Sequence, residues 1–211
     1  LMIESITWFD HASFRLDGEK TIYIDPWELP EGQPRADIIL ISHDHYDHCS
    51  PPDVAAVSKS RTVIVTTPDC AKKFKGMRTE VLAPGDAREI DGIPIEALAA
   101  YNPEKKFHPQ KNSWLGFVLT LRGQRIYYAG DTDLTPEVRA AKADIALLPI
   151  GGTYTMGPDE AVEAATAIGP RVVVPYHWGK IVGGQEEADR FAARCPVPVR
   201  ILPRVAARLR P

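Results

Sequence analysis

The feature that most limits the fold of this chain is an apolar run that ends in a polar cluster. Residues 38–41, Ile-Ile-Leu-Ile, are apolar at every position instead of alternating, as in a strand that is covered on both faces. The next seven residues, Ser-His-Asp-His-Tyr-Asp-His, hold three of the six histidines in a chain of 211 residues. A buried strand that ends in such side chains predicts an α/β protein with a site at a sheet edge.

Short strand-like runs and turn residues alternate around this buried strand. Three such runs precede it, with Asp17-Gly18 as a hairpin turn, so we expect an antiparallel meander at the start of the chain. Ser50, which is followed by two prolines, predicts the start of a short helix, and residues 62–67 return to a strand. The first third of the chain therefore contains a strand, helix, strand unit.

The second half of the chain changes to helices that alternate with strands, beginning near residue 136. The helix from Pro158 has the clearest signals, with two acids in its first turn and Gly169-Pro170 at its end. Residues 197–202 are interpreted as the last strand. No linker or low-complexity segment interrupts the chain, and with 44% hydrophobic residues residues 1–211 are predicted to form a single domain.

Two ten-residue segments, 36–45 and 143–152, resemble each other. Both begin with Ala-Asp, continue as a strand of the buried type and end in a polar, loop-forming stretch. This similarity fits two related halves that face each other, with helices outside two mixed sheets.

Composition excludes several classes of protein. The formal charge of −3 gives no general attraction for nucleic acid or an anionic membrane. Cys49, Cys70 and Cys195 are an odd number without Cys-x-x-Cys spacing, which argues against a disulfide framework and favours a reducing compartment, the cytoplasm. The start of the chain lacks the pattern of a signal peptide, and no run approaches the ~18 apolar residues of a membrane span.

Several strand-like runs end in groups that bind metal or orient a ligand. Asp25 follows one run, the histidine cluster another, Asp131 and Asp133 a third, Gly151-Gly152 a fourth and His177 a fifth. Because open sheets with crossover connections gather strand ends along one edge, residues distant in sequence are expected to meet in one cleft.

The histidine cluster is suited to two neighbouring metal positions. His43 and His45 are two residues apart in extended chain, so both side chains point the same way and one cation fits between them. If the chain then turns into the Ser50 helix, Asp47 and His48 aim at a second point. Imidazole and carboxylate donors suit zinc, iron and manganese. The alternative is a polar loop whose histidines bind neighbours or water, and Cys49 is either a soft ligand or a small buried residue.

The order His-x-His-x-Asp-His, together with a later Gly-Asp-Thr and a histidine after a late strand, resembles the metallo-β-lactamase superfamily of metal-dependent hydrolases. The segments WFDHASF, IYIDPW, YYAGDTD, PIGGTYTMGPDEA and VPYHWG resemble the branch that contains ascorbate-6-phosphate lactonases and bacterial and archaeal hydrolases of unknown substrate. The resemblance implies a four-layer αββα sandwich of two mixed β-sheets with outer helices, and a site for one or two divalent metal ions.

The resemblance also implies a role for each candidate residue. The first metal would be held by His43, His45 and His108, and the second by Asp47, His48 and His177, with Asp131 bridging the two. His11 and Asp25 would lie next to the site without binding metal, and Asp25 would accept the second ring N–H of a ligand histidine. Asp133 is interpreted as a helix cap before Pro136.

Hydrolysis is the expected chemistry. Two cations bridged by Asp131 would lower the pKa of a shared water to about 7, giving hydroxide at neutral pH. Asp131 and Asp47 are the candidate catalytic residues, with zinc as the expected metal and manganese or iron as alternatives. A small-molecule substrate with a lactone or phosphodiester group is expected, and nucleic acid or a membrane is not.

Some features hint at an anionic substrate, and three other functions stay open. Lys105, Lys106 and Lys111 flank His108, although charged loops are commonly just solvated surface. The arginines of residues 200–210 are interpreted as solubilising. The alternatives are a nuclease of the same superfamily, a thioester hydrolase of the glyoxalase II kind and a non-catalytic metal-binding or sensor protein.

Overall fold

In the computed structural model the described residues are 2–205, and they divide into two units. The first unit contains residues 1–82 and 202–211, and the second contains residues 83–201. Each unit has its own six-stranded sheet. The prediction that residues 1–211 form a single domain stays a prediction.

The sheet of the first unit is mixed, with strand order β1-β2-β3-β4-β5-β6. The meander β1-β2-β3 is antiparallel, and β3, β4, β5 and β6 run parallel to their neighbours. The strands are Ile6–Asp10, Ser13–Asp17, Thr21–Ile24, Ile38–Leu40, Val63–Thr66 and Arg78–Val81. The parallel part is the strand, helix, strand unit that the sequence predicts.

Two helices cover one face of this sheet. Helix α1 (Pro51–Val57) follows Ser50 and turns Val54 and Val57 inward, and the four-residue helix α2 (Pro68–Ala71) follows β5. These valines pack into a buried cluster that includes Ile39 and Ile41. Because β4 is buried at every position, burial of its apolar side chains fixes where the chain emerges before the histidine motif.

The sheet of the second unit is also mixed, with strand order β12-β11-β10-β9-β8-β7. Strands β7 to β10 form antiparallel pairs, and β10, β11 and β12 run parallel. The strands are Ala87–Ile90, Ile93–Ala99, Leu115–Leu121, Gln124–Tyr128, Ile145–Pro149 and Val172–Tyr176. Strand β12 lies at the sheet edge, where Pro175 is tolerated because an edge strand can lack one N–H.

Three helices connect or follow the parallel strands of the second unit. They are α3 (Pro136–Ala140), α4 (Pro158–Ile168) and α5 (Gln185–Arg194). Helix α4 ends as predicted, because Gly169 adopts the left-handed conformation at φ 63°. At its start the Glu160 carboxylate accepts a hydrogen bond from Gly157 N at 3.1 Å.

The repeated Ala-Asp pair makes the same contacts in both units. In the first, Asp37 N donates to Thr21 O at 2.8 Å, and the Asp37 carboxylate accepts from Thr21 N at 2.9 Å. In the second, Asp144 N donates to Arg125 O at 2.8 Å, and its carboxylate accepts from Arg125 N at 2.9 Å. Each aspartate therefore joins the starts of two neighbouring parallel strands before the buried strand begins.

Two local predictions are wrong. Residues 197–202 do not form a strand, although Val199 makes an isolated bridge to Val173. Asp133 does not cap helix α3, because Thr135 is the N-cap and its side chain accepts from Val138 N. Asp133 instead binds the Lys105 ammonium at 2.6 Å.

Three expectations from composition can be compared with the structure. All three cysteines are free. Within residues 2–205 no helix combines the length and apolar character that a membrane crossing requires. Of the arginines interpreted as solubilising, Arg204 lies over the Trp8 ring at 5.4 Å, whereas Arg208 and Arg210 lie outside the described residues.

Gly130 immediately precedes Asp131 and has a φ of 71°; a Cβ there would lie 2.6 Å from Leu115 O. Gly123 has a φ of 70° and nothing within 4 Å. We expect Gly130→Ala to lower the free energy of unfolding by about 3 kcal/mol and Gly123→Ala by about 1 kcal/mol, because only the first adds steric overlap to backbone strain. Urea unfolding of both variants measures the difference, and equal losses would contradict the close approach.

Candidate metal centre

In the first unit, one buried carboxylate organises the loop after β4. Asp25, directly after β3, is fully buried and accepts hydrogen bonds from three donors. Ser42 N lies 2.7 Å and Ser42 Oγ 2.5 Å from its oxygens, and His48 Nδ1 lies 2.8 Å from Oδ2. The contact with His48 is the kind that the resemblance implies for Asp25.

These bonds fix the tautomers of two candidate ligands. Because Asp25 is a carboxylate acceptor, neutral His48 carries its proton on Nδ1 and presents a lone pair at Nε2. The Ser42 hydroxyl donates its hydrogen bond to Asp25, so Ser42 Oγ accepts a hydrogen bond from His43 Nδ1 at 2.9 Å. His43 then also presents a lone pair at Nε2. One carboxylate thereby orients His48 directly and His43 through Ser42.

The side chains of the motif form two neighbouring pairs in the first unit. His43 Nε2 lies 3.0 Å from His45 Nδ1, and His48 Nε2 lies 3.8 Å from Asp47 Oδ2. His11 Nε2 also contacts Asp47 Oδ2 at 3.0 Å. The two pairs are the ones that the spacing of the motif predicts. His11, Asp47 and His48 each offer a ligand atom within 4.8 Å of the others, so His11 is closer to the ligand group than the sequence indicates.

In the second unit, two histidines meet at one carboxylate oxygen. His108 Nε2 lies 3.2 Å and His177 Nε2 lies 3.0 Å from Asp131 Oδ2. All three side chains are at most 3% exposed. These three predicted residues, separated by up to 69 positions in the sequence, are therefore brought together at the ends of β10 and β12 and by the loop after β8.

His108 reaches Asp131 because the loop after β8 folds back on itself. His108 is nine residues beyond the end of β8, yet Asn102 N donates to His108 O at 2.8 Å and closes the loop. The Asn102 side chain is also bonded to His108, since its Oδ1 accepts from His108 N at 3.1 Å and from Nδ1 at 2.8 Å. Asn102 in turn donates to Tyr154 O at 3.0 Å. The asparagine therefore fixes both the position and the tautomer of the ring.

In this tautomer the His108 ring can bind a metal ion or a proton through Nε2. With its proton on Nδ1, neutral His108 directs the Nε2 lone pair at the Asp131 carboxylate, and two acceptors at 3.2 Å repel each other. A cation between or beside them, a proton or a metal ion, removes the repulsion. Imidazole nitrogen and carboxylate oxygen are donors that zinc, iron and manganese accept.

Three candidate residues adopt left-handed backbone conformations directly after strands. The φ angles are 48° at His11, 44° at Asp25 and 60° at His177. Such angles are uncommon outside glycine and cluster at functional sites. At His177 the turn also requires a neighbouring glycine, because a Cβ on Gly151 would lie 2.4 Å from His177 O. The glycine turn after β11 thus makes room for this histidine.

Cys49 is a small buried residue in the core of the first unit. It is 2% exposed and packs with Cys70. The hydrogen bond to Cys70, followed by burial, raises the pKa of the Cys49 thiol well above its usual value. Asp44, Cys49 and Cys70 each offer a ligand atom within 4.8 Å of the others, and Asp44 pairs with the Lys73 ammonium. Burial agrees with the interpretation of Cys49 as a core residue, and the soft-ligand alternative stays a prediction.

Two residues of the site have little or no signal in the sequence. Ser42 could have been inferred, since it lies between the buried strand and the first histidine of the motif. Asn102 could not, because nothing in the sequence links it to His108 six residues later.

The comparisons with known proteins identify the family. A family model described as a beta-lactamase superfamily domain matches residues 5–177. The chain belongs to the metallo-β-lactamase superfamily. It is 34% identical over 205 residues to a UPF0173 metal-dependent hydrolase of Methanoculleus marisnigri, covering 88% of this chain and 86% of that protein. The relatives named metal-dependent hydrolases confirm that this superfamily member is a hydrolase.

Two solved structures of metal-dependent hydrolases confirm the fold class. A candidate metal-dependent hydrolase from Parabacteroides distasonis is 36% identical, with a TM-score of 0.83 over 95% of this chain and 92% of its own. Igni18, a metallo hydrolase from Ignicoccus hospitalis, is 25% identical with a TM-score of 0.74 over 93% and 94% of the two chains. The α/β class with two mixed sheets is thus confirmed, and the metal-ligand roles stay predictions.

We expect Asp25→Asn to lower the free energy of unfolding of the metal-free protein by about 3 kcal/mol. The amide would place donor hydrogens against donors in a buried position. Urea unfolding checks this, and Asp91→Asn is the matched control because Asp91 is exposed and has a similar φ of 48°. Equal losses in the two variants would refute the role of the three hydrogen bonds.

Proposed function

We propose that this chain hydrolyses a small substrate that carries a lactone or phosphodiester group, with one or two divalent metal ions. His43, His45 and His108 would hold one ion, and Asp47, His48 and His177 the other, with Asp131 shared between them. This grouping of the ligands is the one that the resemblance to the superfamily implies.

One observation carries the proposal: His108 and His177 both contact the same oxygen of Asp131, at 3.2 and 3.0 Å. The resemblance assigns these histidines to different metals and Asp131 to both. A carboxylate oxygen shared by two buried imidazoles supports that assignment, because a single structural ion pair would need only one partner. It also supports His108 as the third ligand of the first metal.

The chain's own residues would orient the metal ligands and the attacking water. Bound metal would supply Lewis-acid polarisation of the scissile group and a lower pKa for an attacking water. Asp25, Ser42 and Asn102 hold Nδ1–H groups, so the Nε2 atoms of His48, His43 and His108 face away from those partners. Asp47, whose side chain is 13% exposed, would accept a hydrogen bond from the water and orient it.

Zinc is the proposed metal, with manganese or iron as alternatives. The proposed ligands are imidazole and carboxylate groups without a thiolate, and such sets serve catalytic zinc as well as manganese and iron. The donor set supports a divalent ion of this class, and metal analysis after anaerobic purification would identify it.

We expect Asp131→Asn and Asp47→Asn each to lower bound metal per chain by at least half. Both substitutions remove an anionic ligand. Even the mutation of a residue that only hydrogen-bonds to a ligand commonly lowers metal affinity by about 10–100-fold. Inductively coupled plasma mass spectrometry of protein dialysed at equal metal concentration is the measurement. Asp189→Asn, an exposed substitution on α5, is the control. Loss in only one variant would contradict the proposed set of ligands.

Metal removal should abolish hydrolysis, and metal return should restore it. We expect the chelator-treated protein to lose at least ~99% of its activity on a panel of lactones, small phosphodiesters, thioesters and RNA, because without metal the pKa of the attacking water stays far above neutral pH. The class that regains the highest kcat/KM on reloading identifies the bond. Activity on thioesters or RNA alone would replace the proposed substrate class, and no activity at full metal loading would overturn the proposal.

A further inference from the structure

The second unit has a groove of about 790 Å³ along the loop that carries His108. Its lining residues come from the loop after β8 and from the start of α3: Tyr101, Asn102, Pro103, Lys105, Lys106, Pro109, Gln110, Lys111 and Pro136. Lys106 and Lys111 are exposed at this groove, while Tyr101 and Asn102 are buried. A volume in this range is typical of sites for small molecules.

The groove is positively charged. Three lysines, Lys105, Lys106 and Lys111, line it, and none of the lining residues is acidic. Two acids near it have partners: Asp133 binds Lys105 at 2.6 Å, and Glu137 accepts from the Tyr101 hydroxyl at 3.1 Å. Glu104, between the lining residues Pro103 and Lys105, is exposed and forms no ion pair with Lys106 or Lys111. The ammonium groups of Lys106 and Lys111 therefore carry the positive charge of the groove.

Lys105 differs from the other two lysines in its contacts. Its ammonium donates to Asp133 Oδ1 at 2.6 Å and to Thr155 O at 2.7 Å, so it is a structural residue. Lys106 and Lys111 form no ion pair with any residue in the range 2–205. Two ammonium groups without counter-charges on the wall of a concave site attract an anion.

Two residues that line the groove also contact the candidate ligands or their chain neighbours. Asn102 lines the groove and binds His108 through both ring and backbone. Tyr101, the next lining residue, is bonded to Thr132, since its N–H donates to Thr132 Oγ1 at 3.2 Å. Thr132 directly follows Asp131. A molecule in the groove therefore contacts the residues that position His108 and Asp131.

We propose that this groove binds an anionic group of the substrate, a carboxylate or a phosphate, and that Lys106 and Lys111 determine this specificity. The inference rests on the proposed hydrolase function and narrows its substrate to molecules with an anionic group apart from the bond that is cleaved. Lys106 and Lys111 act on binding, and the ligands around Asp131 act on the reaction.

The test compares matched lactones with the metal-loaded enzyme. One pair is 5-oxotetrahydrofuran-2-carboxylate and its neutral carboxamide. The second pair is the phosphate ester of 5-(hydroxymethyl)-γ-butyrolactone and the free alcohol. We expect wild type to prefer the anionic member of at least one pair, and the pair with the larger preference shows whether carboxylate or phosphate is recognised.

Substitution of the two lysines should raise KM for the anionic lactones and leave kcat unchanged. We expect KM to rise about threefold for Lys106→Ala or Lys111→Ala and about tenfold for the double variant at low salt. Each exposed charge pair contributes little binding free energy, and the contributions of two independent lysines add. KM for the neutral lactones should stay constant. High salt should remove most of the difference.

Two controls separate charge in the groove from charge in general. Lys142→Ala removes an equally exposed lysine outside the groove lining and should leave every KM unchanged. Lys106→Arg keeps the charge and should keep the preference for the anion. An equal rise in KM for anionic and neutral lactones, or an equal rise in Lys142→Ala, would overturn the assignment.

Direct binding distinguishes failure of the groove from failure of the proposed function. Isothermal titration calorimetry uses metal-loaded wild type and double variant with probes in which CH2 replaces the ring oxygen, 3-oxocyclopentane-1-carboxylate and the phosphate ester of 3-(hydroxymethyl)cyclopentanone. These ketones have no lactone bond to hydrolyse, so the titration gives Kd. A weaker Kd in the double variant without lactone hydrolysis by wild type would support the groove and reject the lactone substrate. An unchanged Kd for both probes would reject the groove even if the lactones are hydrolysed.

Discussion

The buried carboxylate of Asp25 is the interaction on which the candidate site of the first unit depends. It accepts from Ser42 N, Ser42 Oγ and His48 Nδ1 at 2.5 to 2.8 Å, so the end of β3, the end of β4 and the histidine motif are held together. A buried carboxylate costs several kcal/mol to desolvate unless it is well paired, and three donors offset that cost. The same bonds leave the Nε2 atoms of His43 and His48 available as ligands.

The second unit orients its histidines with a neutral group instead. Asn102 Oδ1 accepts from the His108 ring, and Asp131 is then the carboxylate that both His108 and His177 contact. The two units therefore use the same principle, a fixed Nδ1–H and an Nε2 that faces away from that partner, with different residues. They also share the aspartate, Asp37 or Asp144, that joins the starts of neighbouring parallel strands. That shared contact explains why both similar segments, residues 36–45 and 143–152, have an aspartate at their second position.

The expectations that the structure confirms rest on local physics. The fully apolar run before Ser42 is typical of a buried strand. The glycine after Ile168 is typical of a helix end, because glycine adopts the left-handed conformation with little strain. The expectations that are wrong involve short segments whose state depends on neighbours. Residues 197–202 have the composition of a strand but make only an isolated bridge at Val199. Thr135, rather than Asp133, is the N-cap because the helix begins at Pro136, and Asp133 binds Lys105 instead.

The sequence by itself determined the ligand types, the buried strands that carry them and the superfamily, because periodicity and the spacing of histidines and aspartates are local properties. Only the tertiary structure decided which ring nitrogen of each histidine faces away from its hydrogen-bond partner. It also decided that His108 lies beside Asp131, and that Lys106 and Lys111 line a groove without an ion pair to a described residue. Those facts depend on hydrogen bonds between residues far apart in the chain, such as His48 to Asp25, and on the path of a loop. No pattern of neighbouring residues encodes either.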